Sequence, residues 1–216
     1  MRDIAIYGAG GFGREVACLI NCINSKELHW NLVGFFDDGK EIGADVSHYG
    51  KVLGGIDELN RWTDPISVVI AIGNPGVVKA ISDKITNENV EFPNIIHPNF
   101  VVFDTATFHI GKGNIIQGSC IASCDVVVGD FNVFNGDVAI GHDVVIGSYN
   151  SFMPNVKVSG EVFIGDCNFF GVSSAVLQQL KIGQIFNCCR ATDIIAFQNH
   201  IILLINHCHY RQSDKR

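Results

Sequence analysis

Residues 110–183 read IGKGNIIQGSCIASCDVVVGDFNVFNGDVAIGHDVVIGSYNSFMPNVKVSGEVFIGDCNFFGVSSAVLQQLKIG. Every sixth residue of this stretch is apolar, and no member of the series is missing. The thirteen positions are Ile110, Ile116, Ala122, Val128, Phe134, Ile140, Ile146, Phe152, Val158, Ile164, Phe170, Val176 and Ile182. A period of six is neither that of a helix nor that of an ordinary alternating strand. The repeat therefore predicts a β-solenoid.

A second period of eighteen residues lies on top of the first. The residues that recur at this interval are Asn114, Asn132, Asn150 and Asn168, together with Gly111, Gly129, Gly147, Gly165 and Gly183, each of which follows Ile or Val. Because eighteen is three sixes, we expect triangular coils of three short strands, each strand sending one apolar side chain inward. We expect the Gly and Asn residues at the corners, since both tolerate positive φ. Ordinary alternating strands, the other interpretation, would not keep them in register.

The first part of the chain has a different pattern. An apolar run at residues 4–7 leads into a glycine-rich turn and then into a helix predicted from Arg14 to about Asn24. The turn contains Gly8, Gly10, Gly11, Phe12 and Gly13. A second strand at 32–36 ends in Asp37 and Asp38, and a third is predicted at 67–72. This pattern predicts a small α/β domain with a parallel sheet.

The glycine turn has the strand–turn–helix context that a phosphate-binding loop needs. An NAD site would require a larger sheet and a partner domain for hydride transfer, so a nucleotide-linked substrate fits this loop better. Two simpler interpretations stay open. Gly8, Gly10 and Gly13 could only permit close packing of strand and helix, and Asp37 and Asp38 could be solvated loop carboxylates.

We predict three segments: 1–95 as a Rossmann-like nucleotide-sugar-binding domain, 96–183 as the solenoid, and 184–216 as a divergent C-terminal tail. The net charge of −7 and the lack of a basic stripe argue against nucleic-acid binding. No stretch predicts a membrane span, and Met1 leads directly into a strand without a leader. The eight cysteines form no paired C-x-x-C set, which favours reduced thiols and a cytoplasmic protein.

His142 and Asp143 stand out on the solenoid, because Gly141-His142 occupies a corner where the other coils have Gly, Ser or Asn. A neutral imidazole can take a proton from an amine or hydroxyl that attacks a thioester, and a nearby carboxylate can orient the ring. The alternative is a plain surface histidine beside a turn residue. A three-histidine metal site is not expected, because residues 105–183 contain only His109 and His142.

Together these features resemble one family, the sialic acid O-acetyltransferase-like and bacillosamine-type nucleotide-sugar N-acetyltransferases, which are hexapeptide-repeat acyltransferases. The resemblance covers residues 3 to about 183. It is carried by the glycine turn, Phe36-Asp37-Asp38, Asn135, Gly141-His142-Asp143 and the stretch from Pro154 to Gly160.

The resemblance implies a Rossmann-like domain that binds a nucleotide sugar, followed by a left-handed parallel β-helix that forms a homotrimer and binds acetyl-CoA between subunits. It implies that His142 is the general base and that Asp143 tunes it. Asn135 would contact the acceptor, and Gly160 and Val172 would lie near CoA. The glycine turn, with Asp37 and Asp38, would contact the nucleotide or sugar. No metal is implied. The function expected is acetyl transfer to a sugar amine or hydroxyl.

Two positions depart from the family pattern. Phe12 occupies the glycine turn where many relatives have a small polar residue or a histidine. Ser151 stands where the N-acetyltransferase branch often has a second histidine, so the sequence leaves open which group is acetylated.

The six-residue rhythm stops after Gly183, whereas relatives continue for one or two more coils. We interpret the tail as a frame change near codon 184, which resequencing would test. The alternative function is a non-catalytic sugar-binding relative that has lost its terminal CoA-binding coils. Irregular spacing makes a metal cluster a weak interpretation for Cys188, Cys189, His207, Cys208 and His209.

Overall fold

A computed structural model describes residues 1–185 and, beyond them, the backbone of Asn187–Cys188, Asp193–Phe197 and His200–Leu204. The chain begins with an α/β unit. Its members are β1 (Arg2–Tyr7), α1 (Gly11–Lys26), β2 (Trp30–Phe36), β3 (Val52–Gly54), α2 (Ile56–Asn60), β4 (Ile66–Ile70), α3 (Pro75–Lys84) and β5 (Val90–Glu91). The strands form one parallel sheet in the order β3-β2-β1-β4-β5, which confirms the predicted α/β domain.

The apolar periods of the sequence explain the elements of this unit. The last four residues of β1 are buried, as expected for a strand with helices on both faces of its sheet. Helix α1 buries one face through residues three and four apart, Val16, Ala17, Leu19 and Ile20 among them. It begins at Gly11, three residues before the predicted start, because Gly10 takes the N-cap position and the glycines form its first turn.

The strands that follow build the solenoid. They are β6 (Ile95–Ile96), β7 (Val101–Val102), β8 (His109–Ile110), β9 (Ile115–Ile116), β10 (Ile121–Ala122), β11 (Val127–Val128), β12 (Val133–Phe134), β13 (Ala139–Ile140), β14 (Val145–Ile146), β15 (Ser151–Phe152), β16 (Lys157–Val158), β17 (Phe163–Ile164), β18 (Phe169–Phe170), β19 (Ala175–Val176), β20 (Lys181–Ile182), β21 (Asn187–Cys188), β22 (Asp193–Phe197) and β23 (His200–Leu204). They form three sheets in which every third strand pairs in parallel, apart from the final hairpin. This is the expected left-handed β-helix with three strands per coil.

The apolar series points into the solenoid, as predicted. Its members from Ile116 to Ile182 are buried in one continuous core. Phe134, Phe152 and Phe170 stack face to face, with ring centroids 4.8 Å apart at each step. This distance matches the spacing between paired strands, so the rings stack one above the other in successive coils.

The recurrent asparagines do not occupy positive-φ corners, which corrects the interpretation from the sequence. All four are fully buried. The side-chain amide of Asn132 donates to Oδ1 of Asn114 at 3.0 Å, and Asn150 and Asn168 repeat the bond one coil further on. Their backbone amides donate to the same oxygens. The period reflects an internal hydrogen-bond ladder, because a buried amide must find partners.

Packing, and not positive φ, also explains four of the recurrent glycines, Gly111, Gly129, Gly147 and Gly165, whereas a Cβ on Gly183 would meet nothing within 4 Å among the described residues. A Cβ on Gly129 would lie 2.7 Å from the carbonyl oxygen of Gly147, and Gly165 has the same relation to Gly183. The backbones of successive coils approach too closely here for a side chain. The residues that do have positive φ recur every six positions instead: Gly113, Ser119, Asp125, Phe131, Asp137, Asp143, Tyr149, Asn155, Glu161, Cys167, Ser173, Gln179 and Ile185.

The solenoid begins before the first residue of the apolar series. Ile95 pairs with Ile115 and Val101 with Ile121, each twenty residues on, whereas His109 pairs with Val127 eighteen residues on. Two extra residues between β7 and β8 therefore shift the phase, and a strict six-residue period does not reveal the first turn.

Strand pairing also continues beyond Gly183. Phe169 pairs with Asn187 and Ala175 with Asp193, both at the eighteen-residue interval, and β22 then turns back into the antiparallel β23. The other distinctive residues of the tail lie outside the described residues: Phe186, Cys189, Arg190, Asn206, His207, Cys208 and His209.

The α/β unit covers one face of the solenoid. Ile115 and Val133, on the outer side of β9 and β12, belong to the same core as Ile4 and Val16. Ser151 Oγ, in β15, donates to the carbonyl oxygen of Gly73 at 2.9 Å. Among the described residues, no helix has the length and apolar character needed to cross a membrane.

Candidate functional site

His142 and Asp143 form a hydrogen-bonded pair at a corner of the solenoid. They follow β13, and Asp143 takes the left-handed conformation with φ 56°. His142 Nδ1 lies 2.7 Å from Asp143 Oδ2, and the two side chains are 48% and 58% exposed. Because a carboxylate only accepts, Nδ1 carries the proton of a neutral ring. Nε2 is then the basic nitrogen, and it has no hydrogen bond to any residue that the structure describes.

Gly160 lies one coil beyond His142, against the imidazole. A Cβ at this position would overlap Nε2 and Cε1 of the ring. The structure thus brings together two residues that were assigned separately from the sequence, His142 as a base and Gly160 as a contact of CoA. Gly160 is buried, and the absence of a side chain there leaves room for the ring.

Glu161 is a neighbour of His142 that was not predicted from the sequence. Its backbone N–H donates to the carbonyl oxygen of His142 at 2.8 Å. Hydrogen bonds from Gln179 and Gln178, together with the nearby imidazole of His142, hold the pKa of Glu161 below its usual value. The eighteen-residue period could have revealed this residue, because Asp143 and Glu161 occupy the same position in successive coils.

Asn135 and Val172 lie at another corner of the solenoid. Asn135 is 9% exposed, and its side-chain amide approaches Met153 Sδ at 3.8 Å. One strand, β13, separates it from His142 along the chain. Val172 is 52% exposed and stands twelve residues after Gly160, which is two strands of a three-strand coil. Within one chain, these predicted contacts therefore do not converge on His142.

The glycine turn contains positions of two kinds. Gly8 has φ 114°, and a Cβ there would lie 2.8 Å from the carbonyl oxygen of Ala71. A Cβ on Gly13 would overlap the carbonyl oxygen of Gly8, so backbone conformation and close packing explain both residues. A Cβ on Gly10 or Gly11 would meet nothing within 4 Å. Packing does not explain these two glycines at the N-terminus of α1. Phe12 is half-buried and packs against the core of the α/β unit.

Asp37 and Asp38 are fixed by hydrogen bonds and are not free loop carboxylates. Asp37 accepts from the backbone N–H of Ala9 at 2.8 Å, which ties the end of β2 to the glycine turn. Asp38 accepts from the Tyr7 hydroxyl at 2.7 Å and from the N–H of Ile56 at 2.8 Å. Burial, and then the bond to Asp38, raise the pKa of Tyr7, which therefore stays a hydrogen-bond donor.

Side chains that could bind a metal do not cluster in the part of the chain that the structure describes. No three His, Cys, Asp or Glu residues converge there. The possible cluster in the C-terminal tail falls outside it.

Comparison with known proteins shows similarity to nucleotide-sugar N-acetyltransferases. Residues 3–85 match the PglD N-terminal domain family. The UDP-N-acetylbacillosamine N-acetyltransferase of Bacillus subtilis is 30% identical over 120 residues, which are 54% of this chain and 52% of the relative. The GDP-perosamine N-acetyltransferase of Escherichia coli O157:H7 is 32% identical over 131 residues, 61% of this chain and 58% of the relative. The chain thus aligns with little more than half the length of these relatives.

One solved structure shares the fold over nearly the whole chain. It is the acetyltransferase domain of PglB from Neisseria gonorrhoeae in complex with acetyl coenzyme A, with a TM-score of 0.76 and 23% identity. The superposition covers 94% of this chain and 99% of that domain. The resemblance inferred from the sequence, to bacillosamine-type acetyltransferases, is confirmed.

Proposed function

We propose that this chain, a relative of the bacillosamine-type nucleotide-sugar N-acetyltransferases, transfers acetyl from acetyl-CoA to an amine or hydroxyl of a nucleotide-linked sugar. The observation that carries the proposal is the His142–Asp143 pair, in which Nδ1 is bonded to the carboxylate, Nε2 has no hydrogen bond to a described residue, and the His142 side chain is 48% exposed. This is the arrangement that a general base requires.

In the proposed reaction, His142 Nε2 takes the proton of the acceptor N–H or O–H as that atom attacks the thioester carbonyl. A C–N or C–O bond forms, the C–S bond breaks, and the imidazolium returns its proton to the leaving thiolate. Asp143 stabilises the imidazolium and holds the ring in the required tautomer. A covalent enzyme intermediate is unnecessary when donor and acceptor bind together, because their positioning supplies much of the rate.

The acceptor's nucleotide is assigned to the N-terminus of α1. The backbone N–H groups of this helix end favour a phosphate, and Gly10 and Gly11 leave room for one to approach. The bond from Ala9 to Asp37 stabilises the loop in this conformation. The thioester of acetyl-CoA is assigned to the surface beside His142, whose side chain is 48% exposed.

A homotrimer is part of the proposal. The sheet made of β8, β11, β14, β17 and β20 has an outer face where Val127, Val145 and Phe163 are 42%, 40% and 46% exposed. In the part of the chain that the structure describes, no element covers these side chains, whereas the α/β unit covers the neighbouring face. Association of copies would bury this apolar row and bring different corners of the solenoid together.

We place the enzyme in the cytoplasm, where reduced cysteines are expected.

The test is a screen with acetyl-CoA and a panel of amino and hydroxy nucleotide sugars, in which mass spectrometry detects acetylated product. We expect one class of sugar to be acetylated. We expect His142→Ala to lower kcat by at least about 100-fold, the scale of a lost general base, without dissociating the oligomer. The control is His48→Ala, which alters an exposed histidine of the α/β unit. Near-normal turnover in His142→Ala would remove this residue from the mechanism.

Thermal unfolding with each ligand separates the enzyme from a non-catalytic relative. Stabilisation by acetyl-CoA and by a UDP-sugar, each added alone, supports the transferase. Stabilisation by the sugar alone would support the sugar-binding relative and contradict the proposed reaction.

A further inference from the structure

Three glycines of the α/β unit, all of whose residues are described, are explained neither by backbone conformation nor by packing. They are Gly10, Gly11 and Gly73, at which φ is not positive and a Cβ would meet nothing within 4 Å. Gly10 and Gly73 each stand three residues beyond the last pair of the β1–β4 ladder, Tyr7 and Ile70. Backbone without side chains on both strands' loops leaves room for a ligand to approach closely.

The β4–α3 loop, residues 71–74, lies beside the glycine turn at a topological switch point of the sheet. The strand order places β2 on one side of β1 and β4 on the other. In open parallel sheets, ligands bind outside the carboxyl ends of the strands at such a point. The Ala71 N–H donates to the carbonyl oxygen of Tyr7 at 2.8 Å, and a Cβ on Gly8 would lie 2.8 Å from the carbonyl oxygen of Ala71. The two loops are therefore the two walls of one crevice.

The solenoid holds the β4–α3 loop through Ser151. Its Oγ donates to the carbonyl oxygen of Gly73 at 2.9 Å, and Ser151 is 1% exposed, so solvent does not compete for this bond. The same coil contacts α3 further along. The Ser82 hydroxyl donates to the Tyr149 hydroxyl at 3.3 Å, and Lys79 Nζ lies 5.4 Å from the centroid of the Tyr149 ring. Ser151 thus bonds to the loop itself, whereas Tyr149 contacts the body of the helix.

We propose that Ser151 is a positioning residue for the acceptor's nucleotide, because its bond to Gly73 holds the β4–α3 loop in the conformation that the nucleotide requires. The inference rests on the proposed function, which assigns the nucleotide to the glycine turn at the same edge of the sheet. Ser151 is buried and acts through the loop. A loop that is already ordered loses less conformational freedom on binding, so the apparent affinity for the ligand is higher. The solenoid thereby contributes to a binding site of the α/β unit.

The test compares the dissociation constants of UDP and GDP, each measured with the full chain by isothermal titration calorimetry. We expect Ser151→Ala to weaken binding of the nucleotide that the wild-type protein prefers by about fivefold, the scale of one lost hydrogen bond. The KM for the nucleotide sugar should rise by the same factor. We expect kcat and the KM for acetyl-CoA to stay within about twofold, because the change affects binding of the acceptor and not the chemical step.

Tyr149→Phe is the matched control. It removes a hydroxyl that is hydrogen-bonded to α3 from the same coil, but it leaves the bond between Ser151 and Gly73 in place. We expect its dissociation constants to stay within about twofold of the wild-type values, because a single weak bond away from the loop is lost.

Equal nucleotide affinity in Ser151→Ala and the wild-type protein would overturn the inference. An equal loss of affinity in Tyr149→Phe would also overturn it, since general loosening of the contact would then be sufficient. A wild-type protein that binds neither UDP nor GDP would overturn it as well, while the screen with acetyl-CoA would still test the transfer. Weaker binding in Ser151→Ala, in a protein that acetylates none of the sugars, would support the role of Ser151 and overturn the proposed function instead.

Discussion

At the scale of single residues, His142 is oriented by a neighbour in sequence and by a neighbour one coil away. The hydrogen bond to Asp143 could be predicted because the two residues are adjacent. The contact with Gly160 and the approach of Glu161 involve residues eighteen and nineteen positions on, which only the coil brings close. Residue type therefore indicated the base, while the folded coil determined its surroundings.

Gly160→Ala tests whether the position of the imidazole matters. The new methyl group would overlap Nε2 and Cε1 of His142 and force the ring away. We expect acetyl transfer to fall by about 100-fold, the scale of a misplaced catalytic group. Gly160 is buried, but the His142 side chain is 48% exposed and can move aside, so we expect little loss of thermal stability. Steady-state kinetics and thermal unfolding measure the two effects.

Gly136→Ala is the matched control for that change. Gly136 is also a corner glycine, but its Cβ would lie 3.6 Å from the nearest atom, the carbonyl oxygen of Gly118. Equal losses of activity in the two variants would contradict a specific contact between Gly160 and the ring.

At the scale of elements, the solenoid is stabilised by columns that run through its coils. Phe134, Phe152 and Phe170 form one column, and the buried asparagines form another. Both periods are visible in the sequence, but a residue that needs positive φ cannot be distinguished there from one that needs partners in the next coil. That distinction depends on which backbone groups the neighbouring coil presents.

Asn150→Ala tests the asparagine ladder. Asn150 donates its side-chain and backbone N–H to Asn132 Oδ1 and accepts two bonds from Asn168. The alanine would remove the buried amide that joins Asn132 to Asn168 in the ladder, and we expect a loss of about 2–4 kcal/mol in the free energy of unfolding. Chemical denaturation measures this change.

Asn31→Ala is the control, because it removes an asparagine that is not part of the ladder. Asn31 is exposed on β2 and donates to Asp3 Oδ1, so we expect a change within about 0.5 kcal/mol. A similarly small effect of Asn150→Ala would show that the ladder contributes little to stability.

At the scale of the whole molecule, two outer faces of the solenoid have different environments. The face of β9, β12 and β15 packs against the α/β unit, and Ser151 is bonded to Gly73 across this contact. Ser151 is 1% exposed, so its hydroxyl does not face solvent in the way an acceptor-binding group would. The other face presents the apolar row that we assign to neighbouring copies.

Phe163→Glu tests that assignment. Three copies of the new carboxylate would be buried or brought together at the proposed contact, at a high cost in free energy. We expect the trimer to dissociate at micromolar concentration, as measured by light scattering during size-exclusion chromatography. Acetyl transfer should fall with it, because Asn135 and His142 lie at different corners of one chain.

Leu28→Glu provides the control for a charged residue in place of an exposed apolar one. Leu28 is 71% exposed on the α/β unit, away from the apolar row. A trimer that persists in Phe163→Glu would exclude this face as the contact between copies.

Local properties of the chain were sufficient to predict the β-solenoid, the α/β unit and the pairing of His142 with Asp143, since each depends on an apolar period, a glycine turn or adjacent residues. The internal ladder of asparagines, the two extra residues between β7 and β8 and the contact of Gly160 with the His142 ring became evident only in the folded chain. These features depend on which residues meet between coils. The two extra residues between β7 and β8, for example, change the interval between paired strands from eighteen to twenty residues but leave each strand's apolar residues unchanged.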